Sequence, residues 1–442
     1  MKIVVAGTGY VGLVTGVCLA EYGHSVTCVD VDDQRVTLMS SGISSIYEPG
    51  LEELMVKNKE RLNFTTDYKK AYKDADVIFI GVGTPENYDG STNLKYVNEV
   101  ALQIAHSIEK DCVVVVKSTV PVGTNDKIEE IIKSSLAYHV HVSVASNPEF
   151  LSQGTAVRDT LYASRIIIGV EEELAGKILK EVYKDFGAPI LITNRKSAEM
   201  IKYASNNFLA LKISFINEIA NLCEIIGTNI DDVVLGMGYD KRIGNHFFNS
   251  GIGYGGSCFP KDTKALHWIA NFHNYELKTI KATIDINENQ KLKLLKKSRK
   301  YFDSLKGLSV AVLGLTFKPG TDDLREAPSL ANIPILLKEG ANVRAWDPVG
   351  IGNFKKIHPE GGGITYYATI AEALNDSDLC FIFTEWNQVK DFDLSNYGKL
   401  MKTPIIIDGR NCYDLSSAKE VNVIYDSIGR ETVSNQEMVA IV

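Results

Sequence analysis

At 442 residues the chain is too long for a single hydrophobic core, so two or three domains are expected. Its 45% hydrophobic and 23% charged residues are those of a soluble globular protein, and a net charge of −8 excludes nucleic acid or a membrane surface as a general partner. Seven scattered cysteines without a C-x-x-C pair exclude a disulfide framework and a zinc site, and predict reduced thiols in a cytoplasmic protein. No apolar run reaches membrane length, and the N-terminus enters a strand without a signal-peptide pattern. Any anionic ligand must therefore be met by locally clustered Lys and Arg.

Lys2 to Ala6 reads as a short buried strand, followed at once by GTGYVG, with Gly7, Gly9 and Gly12 in G-x-G-x-x-G spacing around Tyr10 and Val11. A helical run to Tyr22 stops at Gly23, and the strand Ser25 to Val29 closes on Asp30. A glycine triplet between a strand and a helix, with an acid ending the next strand, is a dinucleotide signature. The glycines let a pyrophosphate lie against the helix N-terminus, and Asp30 can accept ribose hydroxyls. A carboxylate there repels a 2′-phosphate, so NAD is favoured over NADP.

Further strands end at Gly81, Lys117 and Ala145, and strand carboxyl ends carry ligands in open α/β sheets. Thr84 and Thr119 are thus candidates to line the cofactor cleft. Glu149, in the loop after Ala145, reads either as a general base or as a solvated loop carboxylate. From Ser197, a plausible N-cap, one long helix is predicted to Ile226, with Gly227 as its stop. Apolar residues crowd several of its faces, which predicts a buried spine between domains and a dimer seam. Lys202 and Asn206 lie four apart on it, either as an ordinary solvated pair or as an ammonium and an amide suited to an oxyanion.

Gly253-Tyr254-Gly255-Gly256-Ser257-Cys258-Phe259-Pro260-Lys261-Asp262 is the densest stretch. Its glycines are expected to let backbone approach a ligand. Pro260 suits the first position of the helix Lys261 to Phe272. Cys258 would then precede a helix N-terminus beside Lys261, which favours thiolate, and Asp262 can orient a water. The alternative is a glycine-rich turn around an inert buried thiol. Beyond residue 300 the first half recurs in pattern: a strand to Gly314, a helix to Lys338, a strand ending on Asp347, and strands before Phe383 and Asp408. The second loop offers Lys318 and Arg325 instead of a glycine triplet, and Arg410 follows a strand end.

The expected fold class is α/β: two Rossmann-like doubly wound domains joined by a long central helix. The expected division is 1–196 for NAD, 197–300 for the central helical and dimerisation part, and 301–442 for a nucleotide phosphate.

These pieces together resemble the UDP-glucose 6-dehydrogenase family of nucleotide-sugar dehydrogenases. Nine motifs appear in the family's order: GTGYVG, YEPGL, GVGTP, STVPVGT, NPEFL, RIG, GYGGSCFPKD, LTFKPGTDDLRE and DGRN. The resemblance implies two NAD-dependent oxidations of a sugar C6 alcohol to a carboxylate, giving UDP-glucuronate for polysaccharide biosynthesis. It implies Cys258 as nucleophile, with a thiohemiacetal and then a thioester. Lys202 and Asn206 would stabilise oxyanions, Asp262 with Thr119 would hold a water, and Glu149 would transfer protons. Asp30, Arg35, Thr84, Thr119, Lys261 and Arg325 would contact NAD. Glu149, Phe150, Leu151, Lys202 and Asn206 would meet the nucleotide sugar. So would Asn249, Ser250, Gly251, Ile252, Gly253, Tyr254 and Gly255, with Arg242, Lys318 and Arg410.

A homodimer along the long helix is implied as well, and no metal. Gln153, a cofactor-binding position, stands where the family places a second carboxylate, so proton transfer is excluded for it here. A GDP-mannose or other nucleotide-sugar 6-dehydrogenase is the nearest alternative. A single-step β-hydroxyacid dehydrogenase and a non-catalytic NAD-binding regulator are further ones, and neither has a use for Cys258.

Overall fold

The structure, a computed structural model, describes residues 1–434; the last eight positions of the expected C-terminal domain, 435–442, lie outside the described residues. Contacts divide the chain into two units. Met1–Ser205 with Lys264–Asn274 forms the first; Asn206–Thr263 with the chain from Tyr275 onward forms the second.

The first unit carries eight strands: β1 (Lys2–Ala6), β2 (Ser25–Val29), β3 (Leu62–Thr65), β4 (Val77–Ile80), β5 (Cys112–Val116), β6 (Val142–Ser146), β7 (Ile166–Gly169) and β8 (Ile190–Thr193). Their order is β3-β2-β1-β4-β5-β6-β7-β8, parallel except where β6 meets β7. Strands such as β5, Cys-Val-Val-Val-Val, are buried throughout, as a parallel sheet covered on both faces requires. Alternate residues serve opposite faces: Ile3 and Val5 pack with the helix Tyr10–Glu21, Val4 and Ala6 with Val97, Ile104 and Ile128. The sheet order reverses between β1 and β4, which opens a crevice at their carboxyl ends.

The second unit repeats the plan with β9 (Ser309–Leu313), β10 (Asn342–Trp346), β11 (Ile364–Tyr366), β12 (Leu379–Ile382), β13 (Ile405–Asp408), β14 (Ile424–Asp426) and β15 (Val433–Ser434). Their order, β11-β10-β9-β12-β13-β14-β15, is that of the first sheet's leading strands, and only β15 runs antiparallel. Gly7 and Gly314, at equivalent turns, have φ of 93° and 94°. The predicted fold class is borne out. The two crevices nevertheless differ. Asp347 matches Asp30 in topology, yet it is buried and accepts N–H bonds from Leu315, Thr316, Val349 and Gly350 and from the Trp386 indole. A Cβ on Gly314 would lie 2.4 Å from Thr384 Cβ. At this turn the second unit packs against its own chain.

The long helix spans Arg195–Ile226 and links the sheets in sequence. Its N-cap is Asn194, not Ser197: Asn194 Oδ1 accepts the Ser197 N–H at 2.7 Å, so Ser197 is already the third helical residue. Gly227, at φ 75°, ends the helix as expected, and its N–H and that of Thr228 both return to Cys223 O. The helix is not buried all round within this chain. Ile216, Ala220 and Cys223 are buried, while Phe208, Phe215 and Leu222, seven residues apart, are 60%, 43% and 49% exposed. The excess apolar surface predicted for it is real, but it forms one open stripe.

Candidate active site

In the first unit, β1 delivers the chain into a turn that only glycine tolerates. Gly7 has positive φ, and a Cβ on Gly12 would lie 2.0 Å from Gly7 O. Gly9 is different: a Cβ there would meet nothing within 4 Å, and Gly9 begins the helix Tyr10–Glu21 without a side-chain cap. Open space in front of uncapped N–H groups is a cradle for an anion. Val11, on the first turn, is half-buried, and the Tyr10 hydroxyl donates to Tyr47 O at 3.0 Å.

Asp30 is half-buried, and its Oδ2 accepts the N–H and hydroxyl of Thr8 within the glycine loop. Arg35 pairs with Asp32 at 3.7 Å. Thr84 joins the ends of β4 and β5 by donating to Thr119 O at 3.0 Å. Gln153 is buried, and its Oε1 accepts no hydrogen bond among the described residues. An oriented carboxylate, an open helix N-terminus and a buried unmatched acceptor all fit a dinucleotide.

Beside this cradle Glu149 and Lys202 form a buried ion pair at 3.0 Å. Glu149 Oε2 also accepts the Leu151 N–H at 3.0 Å, which fixes the turn. The reading of Glu149 as a solvated loop carboxylate, and of Lys202 as a solvated cation, is thereby excluded. The Phe150 ring faces the Arg165 guanidinium at 3.9 Å and the Lys202 ammonium at 5.3 Å.

In the second unit Cys258 is half-exposed, and its carbonyl accepts the Asp262 N–H at 2.8 Å, so it stands at the cap of the helix Phe259–Phe272. That places Pro260 second in the helix, one position later than predicted. Asp262 is buried: Asn206 Nδ2 donates to its Oδ2 at 2.6 Å and Lys261 Nζ to its Oδ1 at 2.5 Å. Asn206 and Asp262 are thus brought together, with Lys261 as the charge partner. Of the other cysteines, all but Cys412 are buried. Burial pushes Cys18, Cys28 and Cys112 up to about 12, and Cys380 and Cys412 upward too.

The glycine run lets its backbone pack closely against the rest of its own chain. A Cβ on Gly253 would lie 2.6 Å from Asn287 Oδ1, one on Gly255 2.4 Å from Glu326 O, and one on Gly256 2.7 Å from the Phe317 ring. Tyr254 is clamped to Asn287 through its N–H at 2.8 Å and its carbonyl at 3.0 Å. Gly251 N–H donates to Asn217 Oδ1 at 2.8 Å, and Ile252 N–H to Gly409 O at 3.0 Å. Residues 251–254 and Gly256 are thus tied by hydrogen bonds to other parts of the unit.

Arg410 binds three loops at once, donating to Phe383 O, Gly253 O and Phe317 O at 2.9, 3.1 and 3.2 Å. With Asn249 and Ser250 it lines a cavity of about 550 Å³ that also takes in Tyr239, Lys390, Asn411 and Arg430. Lys318 lies 5.6 Å from the Phe317 ring, and Arg325 chelates Asp323. Arg242 is 89% exposed and pairs with Asp240, so this chain does not bring it to that cavity.

Residues 1–187 match the NAD binding domain of the UDP-glucose/GDP-mannose dehydrogenase family, residues 196–289 its central domain, and residues 311–415 its UDP binding domain. The chain belongs to that family. It is 51% identical over 435 residues to the UDP-glucose 6-dehydrogenase YwqF of Bacillus subtilis (strain 168), covering 98% of each chain. It is 44% identical to the UDP-glucose 6-dehydrogenase of Rhizobium meliloti (strain 1021), covering 97% of this chain and 100% of that one. The solved structure of a UDP-glucose dehydrogenase from the hyperthermophilic archaeon Pyrobaculum islandicum is similar with a TM-score of 0.91 at 36% identity, covering 97% of this chain and 98% of that one. The resemblance carried by the nine motifs is borne out. The protein is an NAD-dependent oxidoreductase.

For a member of the UDP-glucose/GDP-mannose dehydrogenase family, some site-building residues escaped sequence reasoning. Glu48, inside YEPGL, is buried and accepts the Gly154 and Ala156 N–H groups at 2.7 Å each, fixing the turn that carries Gln153. Its motif was visible, but its partner lies about a hundred residues away. Lys390 and Arg430 had no local signal at all.

Proposed function

We propose that this chain oxidises the C6 alcohol of UDP-glucose to the carboxylate of UDP-glucuronate in two steps, through covalent attachment to Cys258. The observation that carries the reading is a half-exposed thiol at a helix cap, followed by a buried carboxylate that Asn206 and Lys261 hold in place. Bound NAD supplies the hydride acceptor for each oxidation, held by Gly7 to Gly12, Asp30, Arg35, Thr84, Thr119 and Gln153, with Lys261 and Arg325. In the first step C6 loses a hydride and its hydroxyl proton, and Glu149 takes the proton. Cys258 sulfur then adds to the aldehyde carbon. Lys202 and Asn206, one helical turn apart, stabilise the resulting oxyanion. Loss of a second hydride leaves a thioester. Water held by Asp262 and Thr119 cleaves it, returning the thiol and releasing the carboxylate.

Phe150, Leu151, Asn249 to Gly255, Lys318 and Arg410 hold the nucleotide sugar, Arg410 chiefly by fixing the loops around it. The names of the relatives support UDP-glucose over other nucleotide sugars. A panel of UDP-glucose, UDP-N-acetylglucosamine, UDP-N-acetylmannosamine and GDP-mannose with NAD decides it. UDP-glucose should be preferred and yield two NADH per sugar. One NADH per sugar, or preference for another member, would overturn the reaction or the substrate respectively.

The three-part division at residues 196 and 300 belongs to the same proposal, as does a cytoplasmic location, supported by seven unbridged cysteines. So does a homodimer through the exposed stripe Phe208–Phe215–Leu222. Phe215→Glu should then sediment as a monomer at concentrations where the parent is a dimer; a parent that is itself monomeric would refute this assembly.

A further inference from the structure

Lys117 is the buried cation that the proposed chemistry leaves unused. It follows β5 directly, is 8% exposed, and donates to Asn147 Oδ1 at 2.9 Å, with the Tyr183 hydroxyl at 3.5 Å and ring at 5.7 Å. Asn147 is fixed from two further sides, accepting from the Tyr183 hydroxyl at 2.6 Å and donating to Ile167 O at 2.7 Å. Two residues on comes Glu149, with its ion pair to Lys202. The site is therefore a row of two ammonium groups and one carboxylate in the first unit.

Fold stability does not explain this arrangement. Without Lys117, Asn147 Oδ1 would still accept from Tyr183, so no polar atom would be orphaned by its removal. A buried ammonium that donates to the neutral groups of Asn147 and Tyr183 costs stability. We propose that Lys117 is a positioning residue for the reaction: through Asn147 it sets the turn that carries Glu149, and its charge biases the Glu149–Lys202 pair. The inference rests on the roles given to Glu149 and Lys202 above.

The electrostatics agree. Burial, with Lys202 acting in the same sense and Glu149 against it, lowers the Lys117 ammonium to about 8. The groups acting on it are Glu149, Lys202 and Cys18, with Tyr183 in contact. Burial pushes the Cys18 thiol up to about 12 and raises the Tyr183 hydroxyl, so neither titrates near pH 8. In the unfolded chain the lysine keeps its ordinary 10.5. Between about pH 8 and 10.5 the unfolded state thus binds more protons, and the lysine's burden on the fold is lifted as pH rises through that window.

The test is Lys117→Met, read by melting temperature and by initial rates over pH 6 to 10 with the full substrate pair. At pH 7 the variant should melt higher than the parent, by about 2 °C or more. Its kcat should fall about tenfold or more, the scale of one charge acting inside a protein, while KM for NAD stays within about twofold. The parent-to-variant ratio of kcat should be largest below pH 8 and shrink above it as the charge is lost. Lys117→Gln, which keeps a donor for Asn147, controls for a methionine that packs badly and should also be slow. Variants that are both less stable than the parent, or that keep its kcat, overturn the assignment. Failure of the dehydrogenase reading would show separately, as absence of NADH from the parent, and would leave the melting result standing.

Discussion

Cys258→Ala should bind NAD and the nucleotide sugar as the parent does, and lose net turnover by orders of magnitude. Neither ligand depends on sulfur for charge or shape, whereas no thioester forms without it. The alternative, direct oxidation of an aldehyde hydrate, needs no thiol, so the variant separates the two routes. Cys258→Ser is more informative. An alkoxide forms far less readily than a thiolate, yet an ester, once formed, hydrolyses more slowly than a thioester. Incubated with substrate and NAD, the serine variant should accumulate a covalent adduct of substrate mass in the intact-protein mass spectrum.

Chemical modification gives the same test without mutation. Cys18, Cys28, Cys112, Cys223 and Cys380 are buried; of the two partly exposed cysteines, burial raises the Cys412 thiol, while Cys258 stands at a helix cap. Iodoacetamide should therefore label Cys258 first, and activity should disappear with that single label. If Cys258→Ala still yields two NADH per sugar at near the parental rate, the thiol is structural, and the buried pair of Asn206 and Asp262 beside it needs another purpose.

What the sequence made legible was whatever local chemistry dictates. A glycine triplet between a strand and a helix can be recognised because no other residue fits a positive φ or a 2.0 Å approach. Continuous Val and Ile runs announce buried parallel strands, and the second domain was visible through them even though its loops differ. Contacts made at long range were not legible. Asp30 and Asp347 look alike as strand-ending acids, but only the structure shows that Trp386 and four backbone N–H groups consume the second. That the glycines around Tyr254 pack against Asn287 and Phe317 was hidden because those residues are far off in sequence. Asn194 and Ser197 are both good caps three residues apart, and the choice between them rests on which side chain reaches an N–H. Apolar residues on the long helix cannot declare whether they face their own core or a second copy. Lys117 read only as the end of a strand, and its burial against Asn147 and Tyr183 had no local signal.

Glu149→Gln should cost about 100-fold or more in kcat, in the range of general acid–base catalysis, whereas Gln153→Glu should change it only modestly. The two residues share one loop and differ in what they can do with a proton. An amide donates and accepts hydrogen bonds but has no proton to exchange at neutral pH. Glu149 lies 3.0 Å from the Lys202 ammonium, and its second oxygen is tied to Leu151 N–H. Replacing it by glutamine keeps shape and one acceptor, and removes both the base and the negative charge facing Lys202. Melting temperature measured alongside the rates separates lost chemistry from lost packing, because a folded, slow Glu149→Gln locates the defect in the reaction. Gln153 offers a buried carbonyl oxygen without a protein donor, which is a binding feature. A carboxylate in its place should therefore act on the dissociation constant for NAD more than on kcat. Comparable small losses of kcat in both variants would remove Glu149 from the mechanism, and with it the row of charges that Lys117 is proposed to complete.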